Sequence, residues 1–178
     1  MIYVLLTDGF EEIEAIEPID ILRRGGAEVK TVGVSGKNVT GAHGITVEAD
    51  ILPNEVLESD MELLVLPGGP GHKGIEKNSR CTELISYAYN NNIYLAAICA
   101  SPSILGRAGL LKGKKATCFP GFEKYLDGAE YVSDKAVQDG RIITARGAGA
   151  AADFGFMLLS ALKGSETANK IKSDMQYL

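Results

Sequence analysis

The chain has 178 residues, three cysteines, two histidines and a formal net charge of −5. A hydrophobic content of 46% is globular, and one compact domain over residues 1–178 is expected, with a core that requires neither disulfides nor a structural metal. Mild acidity without long runs of one sign argues against a general nucleic-acid binder, two histidines make a His-rich metal site hard to build, and no apolar stretch reaches the roughly 18 residues of a membrane span.

Strand and helix patterns alternate along the chain. Residues 2–6 form a short apolar run, which predicts a buried strand. The start, MIYVLLTDGFEE, lacks the basic region and small-residue cleavage site of a signal peptide; with an odd cysteine count and no C-x-x-C pair, it fits a cytoplasmic protein with free thiols. Asp8 and Glu11 have capping-box spacing, and the helix after them should end at Arg24, before Gly25 and Gly26. Residues 28–34 predict a strand, 37–48 a hairpin turning at Gly41 and Gly44, and 62–66 a second buried strand that breaks at PGGPG, residues 67–71. A helix over about 80–89 leads to IYLAAICASP, residues 93–102, a buried strand running through Cys99 into a helix over 101–108. Strands are expected over 114–118, 131–137 and 141–144, then helices over about 150–162 and 166–175. This order predicts an α/β fold with a mostly parallel sheet covered on both faces, whose sites form at the carboxyl ends of its strands.

Three strand ends carry the chemistry. Cys99 stands at a strand-to-helix corner between small residues, Ala97 and Ser101, like the elbow that presents a nucleophile; N–H groups at the start of the next helix favour its thiolate. The same spacing also suits an inert core cysteine, as expected for Cys81 and Cys118. The PGGPG turn offers the N–H of Gly69, which pairs with that of Ala100 to cradle an oxyanion; it also suits a tight turn requiring positive φ. Glu14 lies four residues before Pro18, which has no N–H for the Glu14 carbonyl, so a local kink and a freed acceptor are expected there, with the carboxyl over the strand ends near Cys99. His43, in the hairpin, and His72, after the glycine turn, are both expected on exposed loops.

The segments DGFEEIEAIEPIDILRRGGAEV, LLVLPGGPG, AAICASPSIL and ITARGAGAAADFGFMLL, in that order, resemble the ThiJ/PfpI superfamily, also called the DJ-one superfamily, over nearly the whole chain. The likeness is to the branch of the Parkinsonism-associated deglycase and its bacterial relatives rather than to the peptidase branch, which has a histidine where this chain has Ala100. The resemblance implies a flavodoxin-like three-layer sandwich of the class I glutamine amidotransferase type, usually a homodimer, with no metal or organic cofactor. It implies a reactive, oxidation-prone Cys99, a Glu14 hydrogen-bonded to that sulfur, Gly69 and Ala100 as backbone donors, and Arg24 at a basic position near the site; Gly68, Phe119 and His43 are further candidates around it. Phe119 stands where some members carry a histidine, and Arg146 to Gly149 also match and read as a turn into the next helix. The activities implied are glutathione-independent turnover of small reactive carbonyls such as methylglyoxal, or removal of their adducts. The alternative is an oxidative-stress sensor and chaperone without turnover, and, after it, a cysteine peptidase.

If Cys99 and Glu14 touch, two full charges about 4 Å apart repel by roughly 4 kcal/mol at an effective dielectric near 20. The pair should therefore keep one proton near neutrality, and a thiolate beside a protonated Glu14 is the expected resting state.

Overall fold

The computed structural model describes residues 1–177. Ten strands and six helices follow in chain order: β1 (Ile2–Leu6), α1 (Glu12–Arg24), β2 (Val29–Gly33), β3 (Asn38–Thr40), β4 (Thr46–Glu48), β5 (Leu63–Leu66), α2 (His72–Lys77), α3 (Ser79–Asn90), β6 (Tyr94–Ile98), α4 (Pro102–Arg107), β7 (Lys115–Ala116), β8 (Glu130–Tyr131), β9 (Ala136–Asp139), β10 (Ile142–Ala145), α5 (Ala151–Lys163) and α6 (Ser165–Asp174). The main sheet has the order β2-β1-β5-β6-β10-β9, parallel except for the antiparallel β9 edge. The expected mostly parallel sheet is therefore present, with helices on both faces.

Alternation along each strand feeds two cores. Ile2, Val4 and Leu6 of β1 pack with Ile19, Leu22, Phe154 and Leu158 under α1, α5 and α6. Tyr3 and Leu5 point the other way, to Leu84, Ile85 and Leu105 under α2, α3 and α4. Burial on both faces explains why β1, β5 and β6 read as unbroken apolar runs. The helix α1 continues through Pro18, where a Cβ on Gly155 of α5 would come within 3.1 Å of the proline Cα, so the two helices meet closely above the sheet. Its exposed side carries Ile13 and Ile16, which line an open apolar groove with Ile45 and Val47 of the hairpin side and Met175. Among the described residues, no helix is long and apolar enough to cross a membrane.

Several expectations are corrected. Asp8 does not cap α1: its carboxylate accepts the N–H of Thr40 at 2.9 Å, fastening the β1–α1 loop to the β3–β4 hairpin, and the helix begins only at Glu12. The strand expected over 131–137 is split, because β8 pairs with β7 in a small separate sheet while β9 pairs with β10. The strand expected over 114–118 shortens to two residues, and the short helix α2, with a glycine at position 74, gave no helical signal in the sequence.

Candidate active site

Cys99 follows β6 directly and has φ +65°, a left-handed conformation that costs a residue with a Cβ about 1 kcal/mol or more. Backbone hydrogen bonds on both sides hold it there: its N–H donates to Ala145 at 2.8 Å, and its carbonyl accepts the N–H of Phe119 at 2.8 Å. Buried Ser101, at the start of the next turn, donates its hydroxyl to Pro67 at 2.5 Å and ties this corner to the glycine turn after β5. The sulfur is half-buried, whereas Cys81 and Cys118 are fully buried in the opposite core.

Glu14, in the first turn of α1, is 1% exposed. Its carboxylate accepts the N–H of Gly68 at 3.0 Å and shares a hydrogen bond with Cys99. Gly68 leaves no room for a side chain, because a Cβ would lie 2.4 Å from a Glu14 carboxylate oxygen and 2.5 Å from the Cys99 Cβ. The Gly68 carbonyl accepts from Glu11 at 3.1 Å, which orients the next peptide; the N–H of that peptide, on Gly69, bonds the sulfur together with the N–H of Ala100. Gly69 has φ +80°, so the same glycine serves the tight turn and the donor.

Burial, the largest influence, raises the Glu14 carboxyl to about 7 against the hydrogen bonds from Cys99 and Gly68, with the charge of Glu11 adding to the rise. Burial, followed by the charge and hydrogen bond of Glu14, pushes the Cys99 thiol up to about 12 despite the N–H groups of Gly69 and Ala100. These influences oppose the resting thiolate expected from the sequence and act on the two groups as one coupled pair. Desolvation raises both groups and Glu14 raises the sulfur further, while the N–H groups of Gly69 and Ala100 act on the sulfur in the other direction, so the pair holds at least one proton between its members near neutrality. Glu14 and the sulfur are consequently placed to pass that proton between them.

The remaining expected residues are dispersed. Arg24 lies ten residues beyond Glu14, roughly 15 Å along α1, where it is exposed and bonds Asp20 at 2.6 Å; on this chain it is not beside the sulfur. Phe119 is 47% exposed, and its ring lies beside Gly147; it supplies backbone to Cys99 but no proton-transfer group. His43 is exposed and bonds Glu12 at 2.9 Å with Glu11 at 3.5 Å, so it reaches the pair only through the charge of Glu11. Its pKa is raised by the hydrogen bond to Glu12 and then by both carboxylates. Glu11, Glu12 and His43 bring metal-ligand atoms within 4.8 Å of one another, but the Glu12 oxygens already accept from the backbone N–H and ring of His43 and from Ile45, which accounts for the cluster as hairpin docking.

His72 corrects a further expectation. It is buried, its Nδ1 lies 2.9 Å from the Gly69 carbonyl, and its ring packs edge-on to Phe122 at 5.7 Å. Both its side chain and its backbone N–H thus hold the glycine whose own N–H faces the sulfur. Only its position three residues after Gly69 hinted at this in the sequence.

Taken together, the arrangement is an acid–thiol pair at a strained elbow of an α/β sandwich, at the carboxyl ends of parallel strands. The chain belongs to the DJ-1/PfpI family, whose sequence pattern matches residues 1–161. Protein DJ-1 homolog B of Arabidopsis thaliana is 35% identical over 178 residues, covering 98% of this chain and 41% of that protein, so the chain spans less than half of that relative. A deglycase of Pyrococcus abyssi is 32% identical over 147 residues, covering 82% of this chain and 89% of the deglycase. The structure of oxidized Toxoplasma gondii DJ-1 matches with a TM-score of 0.94 at 32% identity, over 99% of this chain and 97% of that one.

Proposed function

We propose that this protein is a glutathione-independent glyoxalase or deglycase-type enzyme acting on α-oxoaldehydes such as methylglyoxal, or on their adducts, with Cys99 as nucleophile and Glu14 as proton carrier. The observation that carries this reading is the hydrogen bond between Cys99 and a buried carboxyl held near pH 7, where a general acid–base is most effective. Glu14 takes the thiol proton as the sulfur adds to the aldehyde carbon, and the carbonyl electron pair moves to oxygen beside the N–H groups of Gly69 and Ala100. The resulting alkoxide recovers a proton from Glu14, giving a hemithioacetal. Glu14 then removes the proton from that carbon and returns one to the adjacent carbon, so the former aldehyde carbon is oxidised and the ketone carbon reduced within one molecule. Water cleaves the resulting thioester, releasing a 2-hydroxy acid and the thiol. A homologue named as a deglycase supports the class of activity. Purified wild type is expected to form lactate from methylglyoxal without glutathione; its failure to do so overturns the reading.

The second reading, a redox sensor acting as a chaperone, is favoured by the same half-exposed sulfur, where Glu14 and two N–H groups are available to bind sulfinate oxygens. It predicts peroxide-dependent suppression of client aggregation without lactate formation. In either case a homodimer is proposed. The apolar groove of Ile13, Ile16, Ile45, Val47 and Met175 supports self-association through α1 and the hairpin. Sedimentation at micromolar concentration is expected to give a dimer for wild type and a monomer for Ile16→Glu; a monomeric wild type contradicts it.

A further inference from the structure

We infer that the cavity beside Cys99 is a carboxylate subsite centred on Arg146, so that the preferred carbonyl substrates are acidic ones. This rests on the reading of Cys99 as the reacting thiol. Parallel pairing sets Ala145 of β10 against Ile98 of β6, so Arg146 and Cys99 leave the same end of neighbouring strands. A cavity of about 430 Å³ opens there, lined by Phe119, Tyr131, Ser133, Arg146, Gly147 and Gly149 among others. It adjoins the acid–thiol pair: a Cβ on Gly147 would lie 3.3 Å from the Phe119 ring and 3.9 Å from a carboxylate oxygen of Glu14.

The lining is asymmetric in charge. Among the described residues that line it, Arg146 is the only charged one, with no Asp or Glu. Among the described residues, the Arg146 guanidinium has no hydrogen-bond or ion-pair partner, whereas nearby Lys135 is paired with Asp153 at 3.1 Å. The hydroxyls of Tyr131 and Ser133 likewise have no protein partner among the described residues. Arg146, Tyr131 and Ser133 are exposed to solvent and line one cavity, and a planar guanidinium with neighbouring hydroxyls suits a carboxylate, which accepts a forked pair of hydrogen bonds. Glu14, beside the reacting sulfur, disfavours an anion at that end. A substrate with a neutral carbonyl at one end and a carboxylate at the other is therefore oriented with its carbonyl on Cys99. The α-oxoaldehyde 4,5-dioxopentanoate has this form. Addition of Cys99 to its aldehyde, the internal proton shift and hydrolysis yield 2-hydroxyglutarate with no external oxidant or reductant.

Alkylation of Cys99 tests the subsite without requiring turnover. N-Iodoacetyl-β-alanine carries the carboxylate, its methylamide is the neutral control, and the modified cysteine is identified by mass spectrometry. At low ionic strength, Arg146→Gln is expected to lower the anionic-to-neutral rate ratio about tenfold, Arg146→Lys to lower it less, and added salt to lower it in wild type. In turnover, the preference for 4,5-dioxopentanoate over methylglyoxal should fall in parallel. Equal alkylation ratios in wild type and Arg146→Gln, or a wild-type ratio insensitive to salt, overturn the subsite. If neither aldehyde is converted, the glyoxalase reading fails, and the alkylation ratios still decide the subsite.

Discussion

Cys99→Ser is expected to lower lactate formation from methylglyoxal by at least about a thousandfold, because an alcohol is far less acidic than a thiol and Glu14, near pH 7, is too weak a base to ionise it. The substitution keeps a small side chain with a Cβ at φ +65°, and the two backbone hydrogen bonds that hold this corner do not involve the side chain. Unfolding free energy should therefore change by no more than about 1 kcal/mol. Lactate assays paired with thermal unfolding separate the two effects. A Cys99→Ser enzyme within tenfold of wild type would remove Cys99 from the chemistry.

Glu14→Gln is expected to lower turnover by about a hundredfold to ten-thousandfold, the range over which a positioned acid–base contributes, while making the protein more stable at alkaline pH. The sign follows from linkage. The Glu14 carboxyl titrates near 7 in the folded chain and at its ordinary 4.5 when unfolded, so between these values the folded state holds more protons. Wild-type stability therefore falls as pH rises from 4.5 through 7, by about 3 kcal/mol in total. Glutamine can still accept the Gly68 N–H but carries no charge to bury. Urea midpoints at pH 4.5 and pH 8 should show a gain over wild type that is confined to the higher pH; the same difference at both would exclude a buried ionising Glu14. In wild type, alkylation of Cys99 by a neutral reagent should accelerate as Glu14 ionises near pH 7, an inflection the Gln variant lacks.

The parts of the fold visible in the sequence are those set by short-range physics. Strands β1, β5 and β6 show as apolar runs because both faces of the sheet are covered, and α1 ends where two glycines follow Arg24. The hairpin shows through Gly41 and Gly44 between β-branched residues. For the site, small residues around Cys99 and the glycines after β5 indicated a corner, and the proline after Glu14 indicated an unusual position on the helix. Other features were not legible because they depend on distant partners. Asp8 has capping-box spacing, yet its carboxylate is engaged by Thr40 from the hairpin. His72 follows a loop motif, yet its ring is buried between the Gly69 carbonyl and Phe122. Arg146 read as part of a turn until pairing of β10 with β6 set it beside Cys99.

By itself, the sequence determined the buried strands β1, β5 and β6, the helix α1 and the hairpin, and that a thiol, an acid and a glycine turn lie at the carboxyl ends of strands, because hydrophobic periodicity and backbone preferences act within a few residues. Only the tertiary structure decided the proton balance of the pair, since desolvation of Glu14 and Cys99 comes from residues far away in the chain that close over them. It also decided which polar groups were left without partners, and so the open, positively charged cavity next to the sulfur.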